Sequence, residues 1–268
     1  MVETRIRLLV RGDDAGLCPA VTEAMLRGFH QGILRNTSIM VPAPAFPDVV
    51  TRLRNVSGLC LGLHATVNCE WQTPRWGPVL PSTEVPTLVE SDGLFRVLPI
   101  DLHDAEASAD EILAEVCAQL AIAREAGLTI AYLDHHCCFQ WLHEYTVQRR
   151  LRAFTEQEGL IYEPALPVLP TINGEFATPV ARFLAQLDAA PAGTYAHVFH
   201  PALLDNEMRA VFPRFPSQDP PGAIAQQRFI EFQVMTDASV VEYCQTHGIK
   251  LIRYTDLTPA ELVEFAAS

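Results

Sequence analysis

Lysine is almost missing from this chain: Lys250 stands alone against eighteen arginines in 268 residues. That leaves little room for Schiff-base chemistry, and no G-x-x-x-x-G-K-[ST] segment is present to cradle nucleotide phosphates. Long hydrophobic runs are missing too. Nothing reaches the ~18 unbroken apolar residues of a membrane helix. The first apolar run, Ile6–Val10, stops at Arg11, too short for a secretory signal. Positive charge is scarce: 32 acids against 19 bases give a net charge of −13, which argues against nucleic-acid binding through a broad basic surface. The seven cysteines are odd in number and contain no C-x-x-C, so a reduced, cytoplasmic protein is expected rather than a disulfide framework. G-x-S-x-G, H-E-x-x-H and G-x-G-x-x-G are absent, which removes the main support for serine-hydrolase, zincin and dinucleotide-binding readings.

What remains is a globular composition. Apolar residues make up 49% and charged residues 19%, enough to build one domain over residues 1–268. Short apolar runs alternate with helical patterns. Ile6–Val10, Thr37–Val41, Cys60–Val67, Leu128–Leu133, Leu160–Tyr162, Thr194–His200 and Ile249–Tyr254 read as strands. Helices are expected at Pro19–Gln31, Phe46–Asn55, from a Ser108-x-x-Glu111 capping box to Gly127, and at Glu144–Gln157. More follow near Pro179–Leu187, after a Pro-rich loop at Pro213–Pro221, at Ala238–Thr246 and from Thr258 onward. The alternation breaks in an irregular stretch at about residues 68–104, rich in Pro, Trp and Gly, with a hairpin expected at Ser91-Asp92-Gly93. Loops of that length are often functional. Some seven strand–helix alternations imply an α/β fold with a parallel sheet: an open doubly wound sheet, or a (β/α) barrel with one unit missing or distorted.

In both architectures ligands gather at the C-terminal ends of the strands. There the chain places Arg11-Gly12-Asp13-Asp14-Ala15-Gly16, Gly62-Leu63-His64, Asp134-His135-His136 and His200-Pro201. Singly, each has a plain explanation: a capping acid, a packed strand histidine, a strand-end residue. Together they offer oxygen and imidazole donors for one divalent metal with open positions, beside a second carboxylate able to take a proton. Neighbouring side chains on a strand point to opposite faces, so Asp13 and Asp14 need a turn to share a site. Of the adjacent His135 and His136, one is expected to face that site. Cys137 and Cys138 read as packing residues, because no second cysteine pair supplies zinc-finger spacing.

These segments resemble the YdjC-like (ChbG/HpnK-type) carbohydrate deacetylases. Gly12-Asp13-Asp14-Ala15-Gly16-Leu17 resembles their N-A-D-D-[FL]-G, with Arg11-Gly12 standing where Asn-Ala is usual. Gly62-Leu63-His64, Leu133-Asp134-His135-His136, His200-Pro201 and the ending around Gly248–Tyr254 follow in the same order. The resemblance implies a distorted TIM-like (β/α) barrel of about seven parallel strands and one divalent metal ion, magnesium or zinc. It also implies hydrolysis of an N-acetyl group from an amino sugar or oligosaccharide. By the same resemblance Asp14, His64 and His136 are the metal ligands, Asp13 the general base, and His200 an acid or oxyanion stabiliser. Glu70-Trp71 and Arg75-Trp76-Gly77-Pro78 lie in the long loop, where Trp71 or Trp76 can stack on a sugar and Arg75 can hold a polar group. A small carbohydrate is the expected partner, with no nucleic acid and no membrane. Relatives of this kind are often dimers, and the resemblance allows a homodimer without fixing the oligomeric state. The alternatives are a metal hydrolase of another amide or ester bond, and a non-catalytic sugar-binding relative.

Overall fold

The computed structural model describes residues 6–215 and 220–263. Its strands are β1 (Ile6–Ala15), β2 (Asn36–Ile39), β3 (Cys60–Ala65), β4 (Trp71–Thr73), β5 (Ile130–His135), β6 (Ile161–Tyr162), β7 (Gly193–Phe199), β8 (Phe212–Pro213) and β9 (Lys250–Ile252). The helices are α1 (Pro19–Gln31), α2 (Phe46–Leu53), α3 (Pro99–Asp104), α4 (Ala109–Glu125) and α5 (Leu142–Glu158). They continue as α6 (Pro179–Ala189), α7 (Asn206–Ala210), α8 (Ala223–Thr236), α9 (Ala238–Thr246) and α10 (Pro259–Val263). Part of the expected Pro-rich loop, 216–219, lies outside the described residues. Among the described residues no helix is long and apolar enough to cross a membrane.

Seven strands form one parallel sheet in the order β6-β5-β3-β2-β1-β7, with β9 joining the first half of β1. The sheet curls until its ends approach. Val168, in the segment after β6, makes a parallel bridge to Ala196 of β7, and Ala196 N–H donates to Pro167 O at 2.9 Å. This is the expected distorted barrel. The irregular stretch is more ordered than its composition suggests. It contains β4, which pairs antiparallel with β8, and the expected hairpin, closed by a Val89–Phe95 bridge.

Strand periodicity divides the core in two. Leu8, Val10, Leu61, Leu63 and Leu133 pack outward under the helices, in the main core. Leu9, Cys60, Tyr132, Ile252 and Tyr254 face inward and form a second, smaller core inside the curl. Full burial of each such aliphatic side chain contributes about 1.5–3 kcal/mol. Gly62 is required between these layers, because a Cβ there would sit 2.2 Å from the Tyr132 ring. That close crossing lets Tyr132 stack on Tyr254 with centroids 3.8 Å apart.

Two expectations about where elements begin and end need correction. Ser108 caps α4 by accepting from Asp110 N–H, but Glu111 does not close a box. Its carboxylate instead takes the N–H and hydroxyl of Thr87, fastening the long loop to α4. The first strand also runs past Val10 to Ala15, so the Asp13-Asp14 pair lies within the strand and not in a turn beyond it.

Candidate metal centre

The inward-facing parity of β1, β2, β3 and β5 continues beyond the inner core into polar residues. Arg11 and Asp13 follow Leu9; Asn36 and Ser38 lie on β2; His64 follows Gly62; Asp134 follows Tyr132. Register places His64 directly beside Asp134. All of these residues are buried. By alternation alone Asp14 should point out to the helices. It turns inward because β1 bulges between Gly12 and Ala15, with Asp14 itself left-handed at φ 69°. Asp tolerates that conformation better than most L-residues do, and such a bulge re-aims one side chain.

Three ligand atoms thereby meet. Asp14 Oδ1 lies 3.4 Å from His64 Nε2 and 3.3 Å from His136 Nδ1, and those two nitrogens are 3.4 Å apart. Asp14 Oδ1 is buried and receives no hydrogen bond among the described residues. A carboxylate oxygen left without a donor, facing two imidazole nitrogens, fits a cation. The opposite ring nitrogens both face carboxylates. His136 Nε2 donates to Glu70 at 2.8 Å, and His64 Nδ1 lies 3.2 Å from Asp134 Oδ2. Each imidazole thus stands between a carboxylate and the shared centre, the arrangement that fixes tautomer and ring orientation in metal sites. Burial opposes the charge on His64, but Asp134 and Asp13 outweigh it and lift its pKa to about 10. His136 is likewise raised against burial, chiefly by Glu70. Asp14 is held well below the usual carboxylate range: burial works the other way, and Arg228 prevails with the two histidines.

Asp13 sits on the other side of the cluster. Its carboxylate is gripped by both arms of Arg11, at 2.7 Å from Nε and 2.9 Å from Nη2. Arg11 Nη1 also reaches Glu163 at 2.5 Å, the Tyr254 hydroxyl at 2.8 Å and Asp134 at 3.0 Å. Ligand atoms of Asp13, His64 and Asp134 lie within 4.8 Å of one another. His135 turns away from the centre, as expected of one of the adjacent pair, and bonds the Tyr162 hydroxyl at 2.9 Å.

The long loop roofs the centre. Trp76 is buried, donates from Nε1 to Asn68 O at 3.0 Å, and sets its ring 6.3 Å from that of His136. Trp71 is buried with the Arg228 guanidinium 5.7 Å from its ring centroid. Arg75 is engaged by Asp92 at 2.6 Å and Glu90 at 3.3 Å. His200 follows Phe199, which pairs with Gly12 next to Asp13, so it stands at the rim. Its imidazole is 46% exposed and 3.9 Å from Glu231. Cys137 and Cys138 do not pack as expected. Both are left-handed, at φ 55° and 54°, in the sharp turn that follows β5. Cys138 is exposed, and Cys137 joins Glu70 and His136 in a second group of nearby ligand atoms.

The sequence reading named the ligand triangle but gave no role to Asp134 or Glu70 and missed Arg228. Asp134 was visible by parity, two residues before His136. Arg228 follows Ala225 by three on the buried side of α8, and an arginine in such a stripe demands a counter-ion.

Comparison with known proteins points one way. A family model described as YdjC-like protein matches residues 7–246. A carbohydrate deacetylase of Listeria monocytogenes is 23% identical over 263 residues, covering 94% of this chain and 100% of that protein. One from Thermoanaerobacter pseudethanolicus is 26% identical over 266 residues, covering 93% and 98%. A crystal structure from Enterococcus faecalis, named for cellobiose-phosphate cleavage, shares the fold with a TM-score of 0.77 at 20% identity, over 94% of this chain and 98% of that one.

Proposed function

This chain belongs to the YdjC-like family, and on that premise we propose that it removes an N-acetyl group from an amino sugar or oligosaccharide by metal-assisted hydrolysis. The names of its deacetylase relatives support the reaction class. The observation that carries the reading is the triangle of Asp14, His64 and His136 atoms, 3.3–3.4 Å on each edge, with Asp13 close by and outside it. Two imidazoles and one carboxylate are a zinc-type donor set, so we assign zinc ahead of magnesium. Held there, the ion supplies a Lewis acid for the acyl carbonyl and makes water acidic enough to react near neutral pH.

The protein's own groups do the rest. Asp13, oriented by Arg11, takes a proton from the attacking water. His200, at the rim beside the Asp13 end of β1, hands a proton to the departing amine. Trp76 walls the His136 side, and Arg75 serves substrate binding by fixing the loop through Asp92 and Glu90. The test is acetate release from a panel of N-acetyl sugars, measured with zinc content. Wild type stripped of metal should be inactive and regain activity with zinc. Asp13→Asn should keep its zinc while kcat falls by between about 10²- and 10⁴-fold. Zinc-loaded wild type that releases no acetate from any of these sugars overturns the reading.

A further inference from the structure

Arg228 is the buried group this reaction scheme leaves unused. It projects from α8 to the centre, 6% exposed, and its Nη2 donates to Asp14 Oδ2 at 2.6 Å. Asp14 therefore faces two ways, with Oδ1 toward the imidazoles and Oδ2 toward the guanidinium. Arg228 Nη1 is buried and has no hydrogen-bond partner among the described residues. The same holds for Nε1 of Trp71, the ring against which the guanidinium lies. A charged N–H left buried and unpaired is costly. Both donors are buried without a partner among the described residues, and Arg228 is tied to the ligand triangle through the Asp14 carboxylate. An arginine guanidinium stays charged in such a setting.

We propose that Arg228 Nη1 and Trp71 Nε1 form the oxyanion pocket, and that Arg228 is a catalytic residue taking the scissile carbonyl oxygen. The inference rests on the deacetylase reading. Attack by water forms a C–O bond at the acyl carbon and moves the carbonyl π pair onto oxygen, while Asp13 takes the water's proton. The pair then returns to re-form C=O, the C–N bond breaks, and the nitrogen leaves as an amine after taking a proton. Only between these events does the acyl oxygen bear full negative charge, and preorganised N–H donors aimed there lower the barrier without reorganising. Arg228 is rigidly placed for this. One arm of its planar fork is spent on Asp14, which fixes the other arm relative to the ligand triangle. His200, half exposed and beside Glu231, is left to serve the leaving amine.

The test compares wild type, Arg228→Lys and Trp71→Phe, each zinc-loaded and each checked for an unchanged thermal midpoint. Trp71→Phe keeps the ring and removes only the donor, so it stays informative if Arg228→Lys fails to fold. The expected result is a fall in kcat of about 10²–10³-fold for Arg228→Lys and about tenfold for Trp71→Phe, with KM little changed. Zinc affinity should fall by far less than kcat does. Acetate binding, followed by calorimetry without turnover, should weaken about tenfold or more in both variants. Unchanged kcat in both overturns the proposal. So does a loss of zinc affinity parallel to the loss of kcat, which would make Arg228 a support for Asp14 alone. If wild type binds acetate through these donors yet releases none from N-acetyl sugars, the deacetylase reading falls and the assignment of the pocket stands.

Discussion

Two histidines on one sheet meet opposite fates. His64 faces into the curl from β3, between Asp134 and Asp14, and its pKa is lifted to about 10. His197 faces out from β7 and packs against Phe183 and Phe199, with ring centroids 4.9 and 4.4 Å away, and burial pushes its pKa down to about 4. Both lose water, so desolvation does not separate them. What separates them is parity on the strand. One face of the sheet collects carboxylates at its C-terminal edge and the other collects aromatics under α6. An imidazole among carboxylates exchanges a proton for a metal ion readily, because the same negative field favours both. An imidazole among phenyl rings has nothing to hold either.

The largest effect should come from removing the inward histidine. His64→Ala deletes one of the three proposed ligands and leaves Asp14 and Asp134 facing each other without it. Zinc should be absent from the purified variant by elemental analysis, and kcat/KM should fall by on the order of 10³-fold or more, corresponding to about 4 kcal/mol of lost transition-state stabilisation. Replacing His197 with phenylalanine should leave zinc content at the wild-type level. If His64→Ala keeps both zinc and activity, the contrast between the two faces has no functional meaning.

Much of this contrast is legible in the sequence, for a physical reason. Strand side chains alternate strictly, so once Leu9 is an inner residue, Arg11 and Asp13 must follow, and Cys60 carries His64 with it. Helix bounds such as Pro19–Gln31 and Ala238–Thr246 are equally local, set by proline and glycine or by aspartate caps. Asp14 is harder. Its inward turn depends on a bulge and a left-handed residue, which no alternation rule supplies. Glu70 and Arg228 are harder still. Their positions relative to His136 and Asp14 are set by how a loop and a distant helix dock, across sequence separations of 66 and 214. Arg11 shows the limit from the other side. It stands as a departure from the usual Asn, and only packing reveals that it binds Asp13, Asp134, Glu163 and Tyr254 together.

The carboxylates behind the ligands give a middle-sized test. Asp134→Asn and Glu70→Gln keep shape and remove charge, so each weakens the orientation of one imidazole without deleting a ligand. Zinc affinity, measured by competition with a chelator, should fall about 10–100-fold in each. Asp134→Asn should be the more severe. Asp134 Oδ2 also accepts from Ser38 at 2.8 Å and lies 3.0 Å from Arg11 Nη1, so its loss disturbs the Asp13 side as well. Glu70→Gln removes the hydrogen bond on the His136 side, where Glu70 Oε2 meets Nε2, and leaves the Asp13 side untouched. Equal affinity in both variants and wild type would show that the triangle needs no carboxylate support.

The smallest effect belongs to His197 and concerns stability, not turnover. Folded, its pKa lies near 4; unfolded, it returns to about 6.5. Between those values the unfolded chain binds a proton that the folded chain refuses, so stability falls as pH drops through that window and is unaffected above it. The ring keeps some contact with solvent beside Arg182 and Gln186, which trims the penalty to about 1–2 kcal/mol. His197→Phe preserves the contacts with Phe183 and Phe199 and removes the titration. Denaturant midpoints at pH 7 and pH 4.5 should therefore separate more for wild type than for the variant, by that amount. Wild type also loses acid-sensitive carboxylate pairs, among them Glu261, whose partners hold it down to about 2. Those losses are common to both proteins and cancel in the difference. An identical pH response in the two would mean that the outer histidine is hydrated, and that the aromatic face of the sheet does not oppose its charge.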